Sequence, residues 1–412
     1  MRVLVLLALA LPSVSFGQEK APPKILALRG ARVYTGAGPA LEHATILIEN
    51  GKFTAVGKDI AVPPEAVVIE LAGKVIVPGL IDSASRLFLE PGDRGPGSAE
   101  QNVIDALDRT SELPKEALEQ GVTAVYVGPP STGPVNGLGA VLRLDRARSV
   151  LLERAALKLS VGVAAGDTST SAQRHDSYMQ IRQAFDAAKL YGEGWAKYRK
   201  DLAEFEQKKP AEPDKKPPKP KTDARQEVLL RALDSKLQLM VRLEAHTADA
   251  ILLALKLVED YKLHAVLEGA TEAWRVADAV KKSGLAVVTG PVIRTGLPGV
   301  DLLHHSTGCA AALVRAGVPV AIGSFGDEPG GATRFLAESA ALAASRGLTH
   351  EQALAAITIE AAKAVGLAKS HGSIEKGKAA DLVVLSGEPF ERQTFVEKTF
   401  VDGQAVFQRK GD

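Results

Sequence analysis

Between residues 75 and 365, short runs of β-branched and aliphatic residues alternate with helix-patterned runs, and few folds accept that alternation. Strand-like runs lie at 75–81, 122–127, 137–144, 158–164, 239–243, 264–267, 285–289 and 319–322. Helical patterns lie at 248–261, 271–283, 309–316, 332–346 and 350–365, and residues 116–120 end another helix. Buried strands each followed by a helix imply a parallel sheet, and about eight such units close into a (β/α)8 TIM-like barrel.

Both flanks of this region are β-patterned. Runs at 25–28, 31–34, 44–49, 52–56 and 67–71 form a meander, with Asn50-Gly51 as a hairpin turn because both residues take positive φ readily. Runs at 380–385 and 395–407 follow the barrel, with a turn at Asp402-Gly403. Neither flank can close a core alone. They are expected to pair as a composite β-sandwich domain, residues 24–77 plus 369–412, on a barrel at 78–368. An insertion at 177–222 interrupts the barrel pattern. It begins as a charged helix carrying Trp195, Tyr198 and Phe205 and continues as a Pro- and Lys-rich run that reads as a solvated linker. Its place between barrel strands suits a cover over the barrel mouth.

Residues 1–17 carry one positive charge at Arg2, an apolar run, and small residues at Ser15 and Gly17, the pattern of a cleaved signal peptide. The run is too short for a permanent span, and no Cys follows to take a lipid. The expectation is export to a periplasmic or extracellular space with no membrane anchor. Cys309 is the single cysteine, so no internal disulfide forms. Lys and Arg number 50 against 49 Asp and Glu, which leaves no basic excess for nucleic acid.

The run Pro78-Gly79-Leu80-Ile81-Asp82 resembles the opening signature of the amidohydrolase superfamily of metal-dependent hydrolases. Residues 44–57 resemble that family's N-terminal β-domain, and Gly372 through Leu385 resembles its returning segment. Residues 120–125 and 316–324 resemble barrel strands two and eight. The imidazolonepropionase-like branch is the nearest in pattern. The resemblance implies divalent metal at the C-terminal face of the barrel. The implied ligands are two histidines after strand one, single histidines after strands five and six, and an aspartate after strand eight.

This chain departs from that pattern position by position. Ala84 and Arg86 stand where the first histidine pair is expected, Gly269 where the strand-six histidine is, and Phe325 where the aspartate is. Glu244-Ala245-His246 keeps one histidine after strand five. Alanine and glycine offer no donor atom, and a guanidinium repels a divalent cation. The expectation is therefore an exported family member with a degraded metal site and no cofactor. It would act as a non-catalytic protein that binds a small-molecule ligand or serves a structural role, and a homo-oligomer is the expected assembly. The alternative is a hydrolase of C–N bonds with one rebuilt divalent metal, zinc for example, held by His246 with Glu244, Glu268 or Asp327. Arg86 is expected to pair with Glu244, Glu268 or both, since a buried guanidinium needs carboxylates. His304 and His305 read as loop residues, and His175, His264, His350 and His371 are assigned no function.

Overall fold

The computed structural model describes residues 25–89, 97–145, 149–162, 170–207, 216–237, 239–293, 303–326 and 333–410. The signal-peptide run, residues 208–215 of the linker, and Asp327 lie outside these residues.

The chain opens with β1 (Ile25–Val33), β2 (Leu41–Glu49), β3 (Lys52–Gly57), β4 (Val67–Glu70) and β5 (Val75–Pro78). Asn50 and Gly51 have φ of 51° and 74°, as the hairpin requires. The barrel begins at β6 (Leu80–Ser85) and continues through α1 (Leu113–Glu119), β7 (Val122–Val127), β8 (Val135–Arg143) and β9 (Val150–Ser160). Two helices follow, α2 (Ser171–Gln207) and α3 (Ala224–Leu233). Next come β10 (Met240–Ala245), α4 (Ala248–Tyr261), β11 (Ala265–Gly269), α5 (Ala277–Ser283) and β12 (Ala286–Thr289). The barrel ends with α6 (Cys309–Ala316), β13 (Val320–Ile322), α7 (Leu336–Ser345), α8 (His350–Ala356) and α9 (Ile359–Ala364). The chain returns as β14 (Leu382–Leu385), β15 (Val396–Val401) and β16 (Gln404–Gln408).

The two ends of the chain share one sheet in the order β16-β15-β14-β5-β1-β2-β3, with β4 also paired to β1. Its core holds Leu28, Ile46, Phe53, Ile76, Leu382 and Phe400. The second sheet runs β13-β12-β11-β10-β9-β8-β7-β6 and curls until its edges meet. At that seam Ser83 Oγ donates to the Ile322 carbonyl at 3.0 Å, and Phe325 N donates to the Ala84 carbonyl at 2.8 Å. The result is a nearly closed eight-stranded barrel beside a composite terminal domain.

Three details differ from the sequence pattern. The strand expected at 137–144 exists as β8, but it runs antiparallel to both β7 and β9, so a hairpin replaces a βα unit there. The helix of the insertion starts earlier, at Ser171, and runs for 37 residues, burying Tyr178, Ile181, Phe185 and Ala188. The final helical run breaks into α8 and α9 at Thr358, whose φ of −130° and ψ of −96° are not helical. The break frees the Ile357 carbonyl, which accepts from Ile81 N of the first barrel strand at 2.8 Å.

Gly79 passes the chain from one sheet to the other. A Cβ there would lie 2.4 Å from Thr123 Oγ1, so only glycine fits, and its N–H donates to the Asp381 carbonyl at 2.9 Å. The opening signature and the returning segment are thus tied directly together.

Candidate functional site

Barrel strands place alternate side chains inside. On β10 the small or aliphatic Val241, Leu243 and Ala245 alternate with Arg242 and Glu244. In register, Arg242 pairs with Lys158 of β9, and Glu244 pairs with Glu268 of β11. Four charges therefore meet in the barrel interior. Two like-charged glutamates side by side would repel each other without a cation between them.

That cation is Lys158. Its Nζ lies 3.0 Å from Glu244 and 3.1 Å from Glu268. Arg242 is fully buried; its Nε donates to Glu268 at 2.6 Å and its Nη2 to the Ser83 carbonyl across the barrel at 2.8 Å. The guanidinium also lies 4.2 Å from the centre of the Tyr126 ring. Ser131 donates to Glu244, and Ser160 Oγ reaches the same oxygen at 3.3 Å. Asn136 Oδ1 accepts from the N–H groups of Thr132 and Gly133, which holds the Ser131 loop over the mouth. Burial alone would raise both carboxyls. The Lys158 ammonium overrides it, holding Glu244 well below the usual carboxylate range and, with Arg242, Glu268 below it. Burial would lower Lys158, but the two carboxylates outweigh it and raise the ammonium above its ordinary value. The lysine therefore stays charged and is no nucleophile.

His246 follows β10. Its Nδ1 is 2.8 Å from Thr271 Oγ1 and its Nε2 is 3.3 Å from Glu244 Oε1. The ring occupies the space above Gly269, where a Cβ would lie 2.5 Å from His246 Cε1. Gly269, at the expected position of a histidine, has a φ of 81° and leaves room for the neighbouring histidine. At the seam, a Cβ on Gly323 would lie 2.7 Å from Ala84 Cβ, and one on Gly290 would lie 2.6 Å from Phe325 Cδ2. Phe325 has a φ of 51°, a strained value for a bulky side chain, held by its bond to Ala84. Ala84, Gly269 and Phe325 are thus packed positions.

Asp82, the acid of the opening signature, is completely buried and brackets the seam. Its Oδ1 accepts from Ser324 N at 2.9 Å and Ala84 N at 3.2 Å, and its Oδ2 accepts from Thr333 Oγ1 at 3.0 Å. Burial raises its carboxyl above the ordinary value.

The structure brings together Glu244, His246 and Glu268 of the expected residues. The cations it seats on the two glutamates are Lys158 and Arg242, neither singled out from sequence. Arg86 is half-buried on the loop after β6, where its carbonyl accepts from Leu89 N at 2.9 Å. Asp327 falls outside the described residues. His304 is exposed, 4.0 Å from Glu272, and His305 Nε2 bonds the Pro291 carbonyl at 2.8 Å. His371 is buried in a second charged cluster between barrel and terminal domain. Its Nε2 lies 3.0 Å from Arg143 Nη2 and 3.7 Å from Asp381, while Arg143 also meets Asp402. Burial, with Arg143 beside it, lowers the His371 imidazole to about 4. Burial pushes the Asp381 carboxyl up to about 6. Among the described residues, no group of three His, Cys, Asp or Glu side chains is arranged to hold a metal.

A solved structure of an amidohydrolase from Thermotoga maritima MSB8 superposes with a TM-score of 0.79 at 29% identity, over 93% of this chain and 100% of that one. The amidohydrolase family model Amidohydro_3 matches residues 303–407. These likenesses support the amidohydrolase superfamily as the family of this chain. Within the superfamily, the relatives point to the imidazolonepropionase-like branch. Imidazolonepropionase from Shouchella clausii is 40% identical over 104 residues, 24% of this chain and 23% of that relative. The protein of the same name from Clostridium tetani is 31% identical over 149 residues, 34% of this chain and 36% of the relative. The chain thus aligns with only about a quarter to a third of the length of these curated relatives.

Proposed function

We propose that this exported amidohydrolase has given up metal-dependent hydrolysis and uses its barrel mouth to bind a small-molecule ligand. The single observation that carries the reading is Phe325. At the position expected to hold the aspartate ligand stands an aromatic ring, packed against Gly290 and close to Ala84 and Gly323. Phenylalanine offers neither a metal donor nor a proton-handling group. The alternative, hydrolysis of C–N bonds with one rebuilt divalent ion, draws on His246 lying 3.3 Å from Glu244.

Elemental analysis of the purified protein separates the two. The proposal expects no stoichiometric zinc, manganese or iron after purification without chelator, and no hydrolysis of amide or cyclic-amide substrates with or without added metal. About one tightly held ion per chain, lost in His246→Ala together with a hydrolytic activity, would establish the alternative.

A further inference from the structure

We infer that the Lys158 ammonium is the resident cation of this barrel, a tethered charge doing for the Glu244–Glu268 pair what a bound ion would do, and that it masks a site for a hard divalent cation. This rests on the metal-free reading of the mouth.

The carboxylates are adjacent by strand register and almost wholly buried, so their mutual repulsion is a property of the backbone. Lys158 Nζ contacts both at 3.0 and 3.1 Å. Its carrier strand, β9, lies on the far side of β10 from β11, so the lysine reaches across one strand to touch Glu268. The groups around the ammonium are oxygens: the two carboxylates, with the Ser131 and Ser160 hydroxyls on Glu244. Carboxylate and hydroxyl oxygen with water suits Mg²⁺, Mn²⁺ or Ca²⁺ rather than a thiolate- or imidazole-seeking ion. His246 sits on the outer side of Glu244, through Oε1, while Lys158 and the two serines use Oε2.

A second observation points to the same spot. Tyr126 is 1% exposed, and its hydroxyl has no hydrogen-bond partner among the described residues. An atom at the Gly128 Cβ position would lie 3.5 Å from both this hydroxyl and Lys158 Cδ. The unpartnered buried hydroxyl and the lysine stem thus lie within 3.5 Å of one common point, which leaves the hydroxyl to serve a water or ion once the side chain is shortened. Arg242 stays on Glu268 through Nε, with Nη2 on the Ser83 carbonyl and its face on the Tyr126 ring, so the place beside Glu244 is left to Lys158.

The test compares the full-length wild type with Lys158→Ala. Melting temperature is followed with added Mn²⁺, Ca²⁺ or methylammonium, and bound Mn²⁺ is counted by electron paramagnetic resonance. The wild type should show no stoichiometric Mn²⁺ and no stabilisation. Lys158→Ala should melt lower, recover with millimolar methylammonium or Mn²⁺, and bind about one Mn²⁺ per chain, lost again in Lys158→Ala/Glu244→Gln. If Lys158→Ala does not fold, Lys158→Gln/Glu268→Gln keeps the question open to measurement: removing one carboxylate with the cation should restore folding without any ion. A Lys158→Ala protein that melts like the wild type, or melts lower and takes up neither Mn²⁺ nor methylammonium, would overturn the inference and leave the proposed function standing. Stoichiometric metal in the wild type would overturn both.

Discussion

The barrel mouth and the junction between barrel and terminal domain each bury a charged cluster, and they solve the problem differently. At the mouth Lys158 and Arg242 meet Glu244 and Glu268 at 2.6 to 3.1 Å, two charges of each sign. At the junction Arg143 and His371 stand 3.8 and 3.7 Å from Asp381 Oδ2, which has no hydrogen-bond partner among the described residues. Matched contact keeps the mouth ionised, whereas the looser junction pushes its histidine toward the neutral form and its aspartate toward the protonated one. Paired burial fixes charge, and imperfectly paired burial creates a titration.

The largest effect should come from breaking the mouth. Arg242→Leu strips Glu268 of one partner and leaves the Ser83 carbonyl unbonded in the interior. A loss of about 3–5 kcal/mol is expected in denaturant unfolding. The corresponding cut at the junction, Arg143→Met, should cost less, about 1–3 kcal/mol, because Asp402 is half open to water. Equal losses would mean that contact distance does not separate the clusters.

The pH dependence sharpens the contrast. Glu244 and Glu268 are depressed below 4.5, so their contribution is complete above that value and lost only as pH falls through their folded values. Lys158 is raised above 10.5, so its contribution persists below that and is lost only in strong base. The mouth should be flat across the neutral range. At the junction His371 falls from 6.5 to about 4, so its stability is present above 6.5 and drains away as pH falls through 4. Asp381 rises from 3.8 to about 6, so its stability is present below 3.8 and is lost as pH rises through 6. The two slopes oppose each other between about 4 and 6. His371→Gln should unmask Asp381 and make the protein more stable at pH 4.5 than at pH 6.5, by chemical denaturation at each pH. A variant that loses stability over that range would refute the Asp381 assignment.

The smallest effect belongs to Asp82→Asn at the seam. The amide oxygen can keep both backbone N–H bonds and the amide nitrogen can donate to Thr333. Stability at neutral pH should change by less than about 1 kcal/mol, since the charge that burial disfavours is removed. A large loss would show that the ionised carboxylate closes the barrel.

Much of the fold was legible because local chemistry and global arrangement agree. Asn50-Gly51 demanded a hairpin, the apolar runs demanded buried strands, and Pro78 through Asp82 and Gly372 through Leu385 marked the two crossings between domains. The direction of β8 was not legible, since a run such as Asn136-Gly137-Leu138-Gly139 reads the same for a parallel or an antiparallel strand. At the site, Ala84, Gly269 and Phe325 could be singled out one by one as side chains without a metal donor. The charges that meet inside the barrel could not, because their meeting depends on which strands lie side by side. A signal was nonetheless present: Lys158 between Leu157 and Leu159, and Arg242 and Glu244 alternating with Val241 and Leu243, are charges on the inward face of strands otherwise apolar.

The seam at Asp82 has a consequence for how the molecule comes into being. Asp82 and Ser324 are separated by 242 residues, and β5 completes its sheet only by pairing with β14 near the C-terminus. The barrel sheet cannot close until β13 has been made, and the terminal sheet waits further, for β14. During synthesis the first barrel strand must wait, its edge unpaired, for β13, the last of the eight barrel strands. Chains cut short before Leu382 would therefore leave the terminal sheet unfinished, with β5 lacking its β14 partner.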